Sequence, residues 1–237
     1  MTRHTAAVPP SPDLLLLLVR HAEQRTMRTH DAELSARGRA QAQRLAGRLA
    51  RIPLTAVVAS PLRRAIETAT TVAAATGLPI EVEPDLEEVR IEAEARRERY
   101  TDTAASVLEP RRDDYSTAAM GLVRLATRTQ WGAVPGAEDG TTFRSRVVAA
   151  VERVIARHHR GVVACVAHGG TINAILGAWA QVDRDMWFVP WHTGVSAVLV
   201  SGEERVILTV NDAAHLDATE DLLHIVAHGI RDGPKRA

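Results

Sequence analysis

The chain has 237 residues, 46% hydrophobic and 24% charged, and its 29 basic residues balance 29 acidic ones to a formal net charge of zero. That balance excludes the basic excess expected of a nucleic-acid or membrane-surface protein, yet leaves room for a small anionic ligand held by a few arginines. A single cysteine, Cys165, excludes an internal disulfide and a cysteine-based metal site, and with 3% aromatics the core has to be built from Leu, Val, Ile and Ala.

Residues 1–12 (MTRHTAAVPPSP) read as a flexible tail. Residues 14–19 form a continuous apolar run bounded by charge, the pattern of a strand buried on both faces and far too short to span a bilayer. No small-residue cleavage pattern follows it, so a cytoplasmic protein without a signal peptide is expected. From residue 35 to about 51 the apolar positions recur with helical spacing, and Ser35 is placed to cap that helix. Pro53 ends it, and residues 55–59 read as a second strand. A helix over 61–75 follows, with proline in its opening turn and Gly77 just beyond its end. Residues 79–83 fit a short strand, while the charge-dense stretch 87–99 and the stretch 118–129 read as helical.

A loop rich in glycine and acids, 132–140, leads to a helix over 142–159. Residues 161–167 form a third, strongly apolar strand in which Cys165 reads as a small buried hydrophobe. Gly169 and Gly170 then turn the chain into a helix ending near 181. Residues 195–200 and 205–210 alternate as strands joined by a turn over 201–204. This order predicts an α/β fold: three layers, α/β/α, with a mostly parallel sheet covered by helices on both faces. Residues 13–217 are expected to make a single domain, with 88–140 a helical, substrate-facing insertion over the active-site end and 218–237 a C-terminal tail. The late hairpin offers an edge for a homodimer.

In open α/β sheets, ligands sit outside the carboxyl ends of the strands. Arg20 and His21 follow the first strand, residues 60–64 the second, and His168, Gly169 and Gly170 the third. Independent strands thus deliver two histidines and two or three arginines towards one crevice. Guanidinium forks match phosphate oxygens and stay charged at any working pH. Neutral imidazole is a nucleophile, and cationic neighbours keep it neutral. Glycines at a helix start let backbone N–H groups approach an anion.

Leu18-Val19-Arg20-His21-Ala22-Glu23 resembles the "RHG" signature of the histidine phosphatase superfamily, to which the phosphoglycerate mutases belong. Residues 60–69, SPLRRAIETA, are similar to that family's second motif, S-x-L-x-R-A-x-x-T-A, with its phosphate-binding arginine falling on Arg64. Arg63 then stands at the variable position and reads as a surface helix residue. Val166-Ala167-His168-Gly169-Gly170 is similar to the late "SHG" motif, and Asn211-Asp212-Ala213-Ala214-His215-Leu216 to a segment found in many members. The resemblance covers about residues 14–216.

It implies a two-step transfer without metal or other cofactor. His21 attacks phosphorus, Arg20, Arg64 and His168 hold the oxygens, and Gly169 and Thr171 lie close enough to contact the phosphate, although Thr171 also fits a helix cap. A carboxylic acid protonates the leaving oxygen and then activates water. The family places that acid at Glu88, with Glu87 the fallback. The chain departs from the pattern at Ala22, which replaces glycine, at Met27, near the place of an asparagine, and after Glu88, where a Gly-rich, Trp-containing stretch is replaced by VRIEAEARR. Residues 135–139 resemble the family's G-G-E-S loop in altered form. Arg90, Arg96, Arg97 and Arg99 read as a solvated face, one or two of them available to an anionic substrate tail. The expected function is a phosphatase acting on a small phosphorylated metabolite. The alternatives are a phosphoglycerate mutase, disfavoured by the altered stretch after Glu88, and a catalytically silent phosphate-ligand or protein-binding module. His192 and His215 are expected at structural or rim positions.

Overall fold

The computed structural model of the protein describes residues 13–94 and 131–217. The expected tails at 1–12 and 218–237, the helix at 118–129 and Arg96, Arg97 and Arg99 lie outside the described residues. Within them, a six-stranded sheet has the order β3-β2-β4-β1-β5-β6. Its strands are β1 (Leu14–Arg20), β2 (Ala56–Ala59), β3 (Ile80–Val82), β4 (Gly161–Ala167), β5 (Val195–Ser201) and β6 (Glu204–Asp212). The pairs β1–β4, β2–β4 and β2–β3 are parallel, whereas β5 runs antiparallel to both β1 and β6. The helices are α1 (Ala36–Leu49), α2 (Arg63–Thr76), α3 (Gly140–His158) and α4 (Gly169–Ala180).

The leucine run becomes β1 because a two-residue period gives it an apolar side chain on each face. Leu14, Leu16 and Leu18 pack with Phe143 and Val147 of α3 and with Ile172 and Ile175 of α4. Leu17 and Val19 pack on the other face with Leu45 and Leu49 of α1 and Ala65 and Val72 of α2. Each fully buried leucine contributes about 2 kcal/mol of apolar transfer. The expected three-layer α/β/α architecture is therefore present, with the sheet mixed through its antiparallel β5.

Local signals set the helix starts. The Ser35 side chain accepts from Gly38 N, and Asp139 from Thr142 N, as helix N-caps. Gly77 closes α2 in the left-handed region at φ 72°. Helix α4 is apolar on nearly every side, and its residues 169–177 are all buried, which fixes its first turn under the strand ends.

The helix expected over 87–99 does not begin at 87: the chain is helical at Ala93 and Glu94, and residues 95–99 lie outside the described residues. Residues 84–86 form a single 3-10 turn, and the chain then runs extended until Ala93. Ile91 bridges Ala137, Glu92 N donates to Gly136 O at 2.8 Å and Glu138 N to Arg90 O at 2.7 Å. Val89 and Ile91 are buried while Arg90 between them is exposed. That is a strand-like period of two, hidden in the sequence by the surrounding charge.

Helix α1 presses closely on the loop after His21. A Cβ at Gly38 would lie 2.0 Å from the Glu23 carbonyl oxygen, a backbone atom that cannot swing away. Gly38→Ala is expected to cost about 2 kcal/mol or more, read as a lower urea midpoint with an unchanged slope.

Candidate active site

Strand register assembles the site. In the β1–β4 pair Arg20 stands opposite Ala167, and in the β2–β4 pair Ala59 stands opposite Val166. The ladder extends one step further, His21 N donating to Ala167 O and Ser60 N to Val166 O, both at 2.9 Å. Ser60, His21 and His168 thereby emerge side by side. The two imidazoles lie 5.1 Å apart by ring centroids, and His168 Nε2 sits 2.6 Å from Ser60 Oγ.

His21 is 3% exposed. Its Nδ1 lies 2.7 Å from the carbonyl of Ala22, which assigns the proton to Nδ1. Nε2 then carries the lone pair, and Arg64 Nε donates to it at 3.1 Å. The imidazole is thus held in the tautomer a nucleophile needs. Burial pushes its pKa well below the usual histidine value, and the charges of Arg64, His168, Arg20 and His192 push the same way.

Both arginines are anchored. Arg20 Nη1 donates to the Pro190 carbonyl at 2.6 Å, and Arg64 Nη1 to the His30 carbonyl at 2.5 Å. Thr68 Oγ accepts from Ala22 N at 3.0 Å and donates to Arg64 O at 2.7 Å, tying the His21 loop to α2. Arg63 lies outside the site, its Nε donating to Glu67 at 2.7 Å.

Glu88 lies across the pocket. Its Oε1 accepts from Val89 N at 3.0 Å and its Oε2 from Gly170 N, in the first turn of α4, at 2.9 Å. A Cβ at Gly170 would meet Glu88 Oε1 at 2.4 Å, so any larger residue there would displace the carboxylate from this position. The extended loop carrying Glu88 is held by Arg146 of α3, whose Nη1 donates to the carbonyls of Asp85 and Glu87 at 2.8 and 3.0 Å. Glu87 turns the other way, pairing with His30 at 2.7 Å and Arg90 at 2.8 Å.

One pocket unites Arg20, His21, Arg64, Glu88 and Gly169. His168 is fully buried beside it. Thr171 is brought to a different place: its hydroxyl lies 3.5 and 3.4 Å from the carbonyls of Leu86 and Glu87, supporting the Glu88 loop. Among the described residues no group of three or more His, Cys, Asp or Glu side chains is arranged to hold a metal ion, and no helix is long and apolar enough to cross a membrane.

Residues read from the sequence only as structural, rim or motif positions also stand close to the site. His192, expected as structural or rim, is 5% exposed with its ring 5.7 Å from His21. The available signal was topological: a strand antiparallel to β1 begins at the end where His21 sits. Thr193, in the left-handed region at φ 58°, donates its N–H to Arg20 O at 3.0 Å. His215 Nε2 lies 2.9 Å from Thr193 Oγ1. Asn211 forms a clamp, its Nδ2 donating to Val189 O at 2.8 Å and its Oδ1 accepting from Trp191 N at 2.5 Å. It thus fixes both neighbours of Pro190, the residue that anchors Arg20.

His21, His168 and His192 are all held below the ordinary histidine pKa, burial being the largest cause for each. Below pH 6.5 the unfolded chain takes up protons that the folded chain refuses, so stability is full above that pH and falls as pH drops through it. Between pH 6.5 and 5.5 the loss should be about 1 kcal/mol per buried histidine. Urea unfolding at pH 7.5, 6.5 and 5.5 measures it, and His192→Phe should reduce the dependence.

The comparisons with known proteins agree with this geometry. Over 216 residues the chain is 29% identical to phosphoserine phosphatase 1 of Hydrogenobacter thermophilus, covering 85% of this chain and 93% of that protein. It is 29% identical over 213 residues to phosphoglycerate mutase-like protein 4 of Arabidopsis thaliana, covering 86% and 87%. The fold matches the mycobacterial glucosyl-3-phosphoglycerate phosphatase solved with inorganic phosphate, with a TM-score of 0.63 at 24% identity over 86% of this chain and 99% of that one. Residues 16–213 match the family model described as histidine phosphatase superfamily (branch 1), and the chain belongs to that superfamily.

Proposed function

We propose that the protein is a phosphomonoesterase that hydrolyses a small phosphate ester through a phosphohistidine on His21, with no metal ion needed. One observation carries this reading: a buried imidazole has its Nε2 lone pair held by Arg64 in the pocket that Arg20 and Glu88 also line.

In the first step His21 Nε2 attacks phosphorus, and the bond from phosphorus to the ester oxygen breaks. The proton on Glu88 passes to that oxygen, and the alcohol leaves. Arg20 and Arg64 balance the charge on the remaining phosphoryl oxygens, with His168 and the Gly169 N–H at the start of α4 as further donors. In the second step the Glu88 carboxylate takes a proton from water, and the resulting oxygen attacks phosphorus. The bond from phosphorus to nitrogen breaks, inorganic phosphate leaves, and His21 and protonated Glu88 are restored.

Release of phosphate from p-nitrophenyl phosphate in EDTA should be abolished in His21→Ala, and wild type quenched in alkaline detergent should carry an acid-labile, base-stable phosphate on that histidine. Turnover that survives the substitution, or that EDTA removes, would sink the reading.

Glu88 rather than Glu87 is the proton carrier, because Glu88 lines the pocket with His21 while Glu87 is engaged by His30 and Arg90. Glu88→Gln should lower kcat by about 10²- to 10⁴-fold. Glu87→Gln should cost far less, and the reverse order would exchange the two roles.

A further inference from the structure

Residues 211–216, NDAAHL, take no part in the transfer chemistry, yet they support a turn that grips β1. Thr193 lies in that turn at φ 58°, a left-handed conformation that a β-branched residue keeps only when its surroundings hold it there. The residue is fully buried. Its N–H donates to Arg20 O at 3.0 Å, and Gly194 O accepts from Arg20 N at 3.1 Å. The residue before the nucleophile is thus tied through both its N–H and its carbonyl to residues 193 and 194.

Thr193 is held by a chain of hydrogen bonds whose direction is set by a permanent cation. Arg48 of α1 grips the Asp212 carboxylate at 3.0 and 2.6 Å, and its Nη1 also lies 3.3 Å from His215 Nδ1. A guanidinium can only donate, so Nδ1 accepts and carries the lone pair. Burial first, and then the charge of Arg48, lowers the pKa of His215 to about 4. The neutral ring therefore has its proton on Nε2, which donates to Thr193 Oγ1 at 2.9 Å. That hydroxyl passes its own hydrogen to the His192 carbonyl at 2.6 Å. Asp212 also accepts from Ala214 N at 3.0 Å, so the turn that presents His215 is built on the acid that orients Arg48.

We propose that His215 is a positioning residue for phosphoryl transfer, acting through Thr193 to hold Arg20 and His21 in the geometry of the transition state. This rests on the phosphohistidine chemistry of the proposed function, since the His21 end is what the chain of bonds steadies. Its effect falls on orientation, where a displacement of about 1 Å can cost about 100-fold, more than on ground-state binding of a phosphate.

Vanadate takes the five-coordinate shape of the transition state and inorganic phosphate does not, so the ratio of their dissociation constants reads positioning without turnover. In calorimetry free of chelator, His215→Leu should weaken vanadate by about tenfold or more and phosphate by less than about twofold. On p-nitrophenyl phosphate its kcat should fall with KM little changed. His215→Gln puts an amide N–H where Nε2 stood and should restore most of the vanadate preference, whereas the shorter His215→Asn should not. Thr193→Val keeps the side-chain shape without the hydroxyl and should match His215→Leu, and the double variant should be no worse than either alone. A wild-type ratio in His215→Leu, however far its urea midpoint falls, would make the residue structural only and overturn the proposal. Additive losses in the double variant, or equal rescue by Gln and Asn, would overturn it too. Turnover that survives His21→Ala would overturn the phosphatase reading instead, and wild type that does not favour vanadate over phosphate would overturn both.

Discussion

The parallel register that sets Arg20 opposite Ala167 and Ala59 opposite Val166 decides what the rest of the molecule can do. Three strands end at one level, so the residue following each of them faces a common space. A slip of one residue in either pairing would turn every side chain of that strand to the opposite sheet face and move its terminal residue along the crevice. The slip is prevented by the packing of β1, whose leucines are committed alternately to the α3–α4 layer and the α1–α2 layer. The same apolar burial that stabilises the sheet thus sets the spacing between His21, His168 and Ser60.

Placing three histidines and two arginines at the end of a buried sheet carries a cost, and the chain meets it through neutrality and fixed partners. The histidines stay uncharged because burial and the nearby guanidinium groups both disfavour a second proton. The arginines stay charged and are held by the carbonyls of Pro190 and His30. Preorganisation here means that the positive groups are oriented by backbone carbonyls before any ligand arrives, so little reorganisation accompanies its binding.

Much of this was legible in the sequence because it is local. His21, His168 and Arg64 each adjoin a strand end or open a helix, and the apolar runs that carry them are unambiguous. Ser35, Gly77 and the α/β order were equally readable from caps and periods. Where reading failed, a longer-range interaction had decided the outcome. Residues 87–91 look helical by charge, yet Val89 and Ile91 are drawn inward by Trp131 and α4, and the loop is pinned by Arg146 from 59 residues or more away. Thr171 follows two glycines at a helix start, and only the position of the 86–87 carbonyls shows which way its hydroxyl faces. His192 and Asn211 belong to segments whose neighbours are chosen by the antiparallel strands, which no periodicity encodes.

The Asn211 clamp gives the chain a temporal order. Arg20 lies on the first strand, but the carbonyl that anchors it belongs to Pro190, and Pro190 is steadied by a side chain at the end of the last strand. During synthesis the arginine leaves the ribosome about 170 residues before its anchor and some 190 before the clamp, a delay of roughly ten seconds or more at ordinary elongation rates. The charged end of the site therefore stays unassembled while the chain is nascent, and the first residues of the fold to be made become competent only when the last strand has docked.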